Sequence, residues 1–287
     1  SAAGDINGDG IDDLIIGAFR ATPNGLTYSG ASYVVFGSST GFATNLNLSA
    51  LNGSNGFRIS GETALDQSGS SVSAAGDING DGIDDLIIGA IGADPNGDGS
   101  GASYVVFGSR TAFAPELNLS ALTGSNGFQI SGEVAGDQSG FSVSGTGDIN
   151  GDGIDDLIIG APFSELNGPN TGSSYVVFGS RTVFAANLNL SDLNGSNGFQ
   201  INGSLLSRAS GKSVSGAGDV NGDGIDDLII GGYGSVSGAI YVVFGQLAAP
   251  SPADYGDAPD MGQSGFLNTY PVTMAEDGAR HEDVGPS

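Results

Sequence analysis

At 287 residues, with 32 acidic side chains against seven Lys and Arg, a net charge of −25 and no cysteine, the chain has room for one or two domains and excludes several classes of protein. Scattered single cations cannot hold a phosphate backbone or an anionic bilayer, so neither nucleic acid nor a membrane surface is an expected partner, and no apolar run reaches the ~18 residues of a membrane span. Disulfides, thiol chemistry and cysteine-based zinc sites are absent with the cysteines.

The chain opens inside a repeat, at SAAGD (1–5), with no basic leader ahead of an apolar segment, and so reads as a fragment or processed piece of something longer. The first acidic loop follows in GDINGDGIDDLIIGA, Gly4 to Ala18. The same letters return from Gly76 to Ala90 and from Gly147 to Ala161, and GDVNGDGIDDLIIGG runs from Gly218 to Gly232. Their leading aspartates, Asp5, Asp77, Asp148 and Asp219, lie 72, 71 and 71 residues apart, and the four copies hold sixteen of the 32 acidic residues. Self-similarity at a fixed period points to a repeat architecture.

Each period carries four short apolar segments. In the second unit they are SGSSVSAAGD (68–77), DDLIIGA (84–90), GASYVVFG (101–108) and NGFQISG (126–132). Rich in Val, Ile, Tyr and Phe and bounded by Gly, Asn, Asp and Ser, they read as strands. No stretch has helical periodicity with caps, and FAPELNLSALTGSNG (113–127) reads as a loop with one helical turn. Four strands per unit, repeated about an axis, predict an all-β β-propeller of about four blades of four antiparallel strands. A β-solenoid would need shorter rungs. LIIGA and YVVFG suit strands buried between neighbouring blades, and the small residues of SVSAAG suit the strand nearest the axis.

The acidic loops have the chemistry of a calcium site. Asp5, Asn7 and Asp9 offer side-chain oxygens at positions one, three and five, Ile11 a backbone carbonyl at seven and Asp13 a carboxylate at nine, over 5–13. The same places are filled by Asp77, Asn79, Asp81, Ile83 and Asp85 (77–85), by Asp148, Asn150, Asp152, Ile154 and Asp156 (148–156), and by Asp219, Asn221, Asp223, Ile225 and Asp227 (219–227). Hard oxygen donors without His or Cys select calcium, and Gly8 and Gly10 let the backbone wrap an ion. About four Ca2+ ions are expected. An EF-hand would need a carboxylate at position twelve, where Ile16 stands. Asp12 points away from Asp13 if the strand has begun, which gives it a supporting or surface role. The near-match at Asp94, Asn96 and Asp98 has Ala102 at position nine and reads as a polar turn.

YVVFG, then GFxISG, then DxNGDGxxDLxxGA resembles the FG-GAP repeat of integrin α-chain propellers and their bacterial relatives, over residues 1 to about 245. The FG pairs are Phe36-Gly37, Phe107-Gly108, Phe178-Gly179 and Phe244-Gly245, and the GAP is intact only at Gly160-Ala161-Pro162. The period is longer than in integrins, the excess lying in LNLSxLNGSNG, and that family usually closes its ring with seven units. Residues 1–246 are therefore assigned to the propeller, with an incomplete ring as one outcome. The remaining 247–287 form a Pro- and Gly-rich tail whose DYGDAP and DGARH resemble the start of a GEVED-type module of bacterial surface proteins.

Catalytic groups are scarce. The chain has one histidine, His281, one lysine, Lys212, and loop carboxylates Glu62, Glu133 and Glu165 that read as solvated acids rather than a glycosidase pair, so no enzyme is expected. The loops between second and third strands vary most, at 21–30, 92–101, 162–172 and 233–238. The resemblance places recognition on that face, opposite the calcium loops, and implies an extracellular or cell-surface propeller acting in adhesion or assembly, with a protein or glycan ligand. The alternative is a carbohydrate-binding or accessory propeller of a secreted enzyme. Both ends read as unfinished blades, and Ser264-Gly-Phe-Leu-Asn268 echoes an outer strand, so self-association by strand complementation, up to a filament, is a further expectation.

Overall fold

The computed structural model describes residues 1–204, 208–233 and 238–247. The tail over 248–287, with His281 and the candidate donor strand at 264–268, lies outside them. The first unit forms β1 (Ala2–Gly4), β2 (Asp13–Ala18), β3 (Ala31–Val35) and β4 (Gly56–Ser60). The second forms β5 (Ser68–Gly76), β6 (Asp85–Ala90), β7 (Ala102–Val106) and, after the short β8 (Glu116–Asn118), β9 (Gly127–Ser131). The third has β10 (Ser142–Gly147), β11 (Asp156–Ala161), β12 (Ser173–Val177), β13 (Asn187–Asn189) and β14 (Gly198–Asn202); the fourth has β15 (Ser213–Gly218), β16 (Asp227–Tyr233) and β17 (Gly238–Val243). Within each unit consecutive main strands pair antiparallel, which gives the four sheets of a propeller.

Alternation along a strand explains why the second strands are apolar throughout. Successive side chains point to opposite faces, and both faces of a middle blade meet another sheet. In β6, Leu86 and Ile88 pack with Tyr104 and Val106 against Ile15, Val34, Phe57 and Ile59 of the first blade. Ile87, between them, turns the other way, with Val105, Phe128 and Ile130, onto Leu157, Ile159, Tyr175 and Val177 of the third. Ile158 and Val176 repeat the pattern with Leu228 and Ile230 of the fourth.

Among the described residues the four sheets do not close a ring. Leu14 and Ile16 of β2 are 51 % and 41 % exposed, although their counterparts Leu86 and Ile88 are fully buried. At the other end Val242 is 45 % exposed where Val34, Val105 and Val176 are fully buried.

The insertion is more ordered than its sequence suggests. Instead of a plain loop with one helical turn, 113–127 contains β8, which pairs in parallel with β4 of the preceding blade, followed by a 3₁₀ turn at Leu119–Ala121. The third unit repeats the device, with β13 parallel to β9 and a 3₁₀ turn at Leu190–Asp192. The first two sheets therefore have five strands rather than four, the fifth borrowed from the next unit, and the fourth has three among the described residues. Phe113 stacks on Phe57 at 4.4 Å and Phe184 on Phe128 at 4.3 Å, so each borrowed strand arrives with an aromatic anchor.

Candidate metal centres

Each acidic loop joins the first strand of a blade to the second, at one end of the sheet. Its turns are made by the aspartate and asparagine side chains themselves, which accept hydrogen bonds from N–H groups further along the loop. Asp5 Oδ1 accepts from the Asp9 N–H (3.0 Å) and Oδ2 from Gly10 (2.8 Å), Asn7 Oδ1 from Asp9 (2.9 Å), and Asp9 Oδ1 from Ile11 (2.9 Å). The same four bonds recur from Asp77, Asn79 and Asp81, from Asp148, Asn150 and Asp152, and from Asp219, Asn221 and Asp223. Gly10 has φ +87°, a left-handed conformation that a side chain would strain.

The ninth-position aspartate ties the loop to the FG motif. Asp13 is buried, with Oδ2 accepting from the Ile6 N–H (3.1 Å) and Oδ1 from the Gly37 N–H (2.7 Å). Asp85 holds Ile78 and Gly108, Asp156 holds Ile149 and Gly179, and Asp227 holds Val220 and Gly245. The glycine of each FG pair thus donates to the end of its own blade's acidic loop. A Cβ on Gly108 would collide with the Asp84 carbonyl, so the close approach needs glycine.

Electrostatically the carboxylates of Asp13, Asp85 and Asp156 are under-compensated. Burial, opposed by the two backbone hydrogen bonds and reinforced by the loop's other aspartates, pushes Asp13 up to about 6, Asp156 to about 7 and Asp85 to about 8. Only oxygen donors surround them, and each carboxylate oxygen has lone-pair capacity beyond the N–H it accepts. The residues therefore fit a hard divalent cation in donor chemistry. Among the described residues no three carboxylates converge on one coordination centre. The five expected positions of each loop lie in one tight turn, with the side chains of positions one, three, five and nine turned onto backbone N–H groups.

Asp12 is exposed, but its counterparts in the later loops do more than decorate the surface. Asp84 Oδ2 accepts the N–H of Asp5 in the preceding blade at 2.8 Å, and Asp155 and Asp226 do the same for Asp77 (2.8 Å) and Asp148 (3.0 Å). Sequence could not show this, because the partner stands 79 positions away. The near-match at 94–99 is a turn closed by the Gly99 N–H on Asp94 Oδ1, with Ala102 in β7.

At the opposite end of the blades, Tyr104 Oη donates to Glu62 (3.1 Å) and Tyr175 Oη to Glu133 (2.9 Å). Lys212 Nζ stands 3.6 Å from the centre of the Phe141 ring. A cavity of about 580 Å³ opens there, lined by Val134, Asp137, Gln138, Phe163, Glu165 and Leu166.

The FG-GAP repeat model matches residues 1–35, 68–106, 139–177 and 210–243. Integrin alpha-5 of Xenopus laevis is 30 % identical over 246 residues, which covers 84 % of this chain and 20 % of that protein. Integrin alpha pat-2 of Caenorhabditis elegans is 30 % identical over 256 residues, with 84 % and 18 % covered. Phosphatidylinositol-glycan-specific phospholipase D of Bos taurus is 32 % identical over 173 residues, with 58 % and 19 % covered. The chain thus spans about a fifth of the length of these curated relatives. Four sheets in repeat register, an FG glycine bonded to each acidic loop, and a family match over all four units together make the chain a member of the FG-GAP repeat family, built as an integrin α-like propeller.

Proposed function

We propose that the chain is a calcium-stabilised, integrin-like propeller that works outside the cell or at its surface, in adhesion or in assembly of a surface structure, and that it is not itself an enzyme. The observation that carries this is the division of its two ends. One end repeats the same oxygen-rich loop four times, and the other varies from unit to unit around a cavity. A uniform end suits a structural ion, and a varied end suits recognition, in this reading of a protein ligand.

In this reading Asp5, Asn7, Asp9, the Ile11 carbonyl and Asp13, with their counterparts in the other loops, hold about four Ca2+ ions. The bound ion supplies positive charge where three aspartates otherwise repel. The chain's own residues set the turn, keep the loop against the FG glycine and start the second strand. Binding at about 10 μM in ~1 mM calcium would contribute about 2.7 kcal/mol per site. Calorimetric titration with CaCl2 should return about four ions per chain, and melting in excess EGTA should fall by more than about 10 °C, with part of that loss reproduced by Asp81→Ala. An unchanged melt in EGTA removes calcium from the reading. The phospholipase D relative favours the second reading, an accessory propeller of a secreted enzyme, and binding of the isolated chain on a glycan array would select it.

A further inference from the structure

We propose that the first aspartate of the DD pair in the second, third and fourth loops couples neighbouring acidic loops, so that they fill with cations as a linked series; this rests on the calcium reading above. Asp84, Asp155 and Asp226 each stand one residue before a ninth-position ligand of their own loop. Each also holds the N–H of the first-position ligand in the loop of the preceding blade, at 2.8, 2.8 and 3.0 Å. One carboxylate therefore joins two candidate centres with a single peptide unit on either side.

The backbone is shaped for this contact. Gly4, Gly76 and Gly147, which precede the donors, have φ of +67°, +70° and +71°, and a Cβ on any of them would land on the carboxylate of Asp84, Asp155 or Asp226. Two further contacts run the same way. The N–H groups of Ser109, Ser180 and Gln246 each donate at 2.9 Å to the carbonyls of Ile6, Ile78 and Ile149 in the preceding loop. The Arg110 side chain lies against Gly8 of that loop while its guanidinium donates to the Gly82 carbonyl of its own (3.2 Å), and Arg181 does so between Gly80 and Gly153 (3.3 Å).

The coupling follows from ordering. A cation in loop 77–85 fixes Asp85 and, through the chain, its neighbour Asp84. The fixed acceptor holds the Asp5 backbone with its carboxylate directed into loop 5–13, so that loop binds with less ordering left to do. Linkage makes the effect reciprocal, and a cation in loop 5–13 strengthens loop 77–85 equally.

The amides of Gly10, Gly82, Gly153 and Gly224 each donate to the first aspartate of one loop and so report the four loops separately. Their signals in 15N-labelled protein, followed through a CaCl2 titration, provide the test. In the unsubstituted chain Gly10 and Gly82 should shift over one calcium range. In Asp84→Ala the Gly10 midpoint should rise about tenfold while Gly224 stays in place. Asp84→Asn, which keeps an acceptor but drops the charge, should restore most of that loss. Asp155→Ala should move Gly82 instead of Gly10, and it serves if Asp84→Ala does not fold. A Gly10 midpoint in Asp84→Ala within about twofold of the unsubstituted chain, or an equal displacement of all four signals, overturns the coupling and leaves the calcium reading standing. If no glycine signal moves in the unsubstituted chain at about 10 mM calcium, above the range of extracellular calcium modules, both readings fall.

Discussion

Glu116 leaves its own unit to meet the preceding blade. Its Oε2 lies 2.7 Å from the Arg58 guanidinium, and its Oε1 accepts from Ser60 Oγ (2.7 Å) and Asn24 Nδ2 (2.9 Å). Arg58 first, then the two neutral donors, lower its carboxyl to about 2. A carboxylate with a depressed folded pKa adds stability that is fully present above its unfolded value of about 4.3 and is lost as the pH falls through about 2. Both side chains are about one-third exposed, so solvent screening holds the contribution to at most about 1 kcal/mol. Glu116→Gln should therefore melt a few degrees lower than the parent at pH 7. The gap should close between about pH 4 and pH 2, and thermal melts across that range check it. A gap independent of pH would assign the loss to packing.

At the scale of elements, identical letters have different fates. Phe42 and Phe113 hold the same place after the FG pair, yet Phe113 stacks on Phe57 and packs tilted against Phe36 of the blade before it while Phe42 is 59 % exposed. Phe113→Ala removes one ring of a three-ring cluster between blades and should cost about 3 kcal/mol, whereas Phe42→Ala should stay within about 0.5 kcal/mol. Urea unfolding of the two variants gives the comparison. The pair also marks where reading the sequence stops. The four main strands of a unit announce themselves, since runs such as LIIGA are apolar on both faces and bounded by turn residues. The acidic loop announces itself too, because its turns are closed by its own side chains. β8 does not, because Glu116-Leu-Asn118 has no alternation of its own and becomes a strand only by pairing with β4. The bond from Asp84 to Asp5 was hidden in the same way, for it needs two blades in register before either residue can be assigned a partner.

At the scale of the molecule, the two open faces of the blade stack are each other's complement. In every internal interface the Ile15, Val34 side of one sheet receives the Leu86, Ile88 side of the next. The first blade leaves Leu14 and Ile16 uncovered, and the fourth leaves Val242 uncovered with Ile240 at 74 %. Such a pair of surfaces is heterologous: one end fits the other and neither fits itself. Exposed apolar surface of this kind favours association, and self-association is the expected outcome for this chain. The 287-residue chain should sediment with a weight-average mass that rises with concentration, in calcium, over the micromolar range. Ile16→Asp, on the open face, should hold it at the monomer mass without lowering the melting temperature. Ile88→Asp, the same change at a fully buried position, should destabilise the fold by about 3 kcal/mol or more. If Ile16→Asp associates as strongly as the parent, the open face of the first blade is not the contact, and the mass measurement shows this without any change in fold.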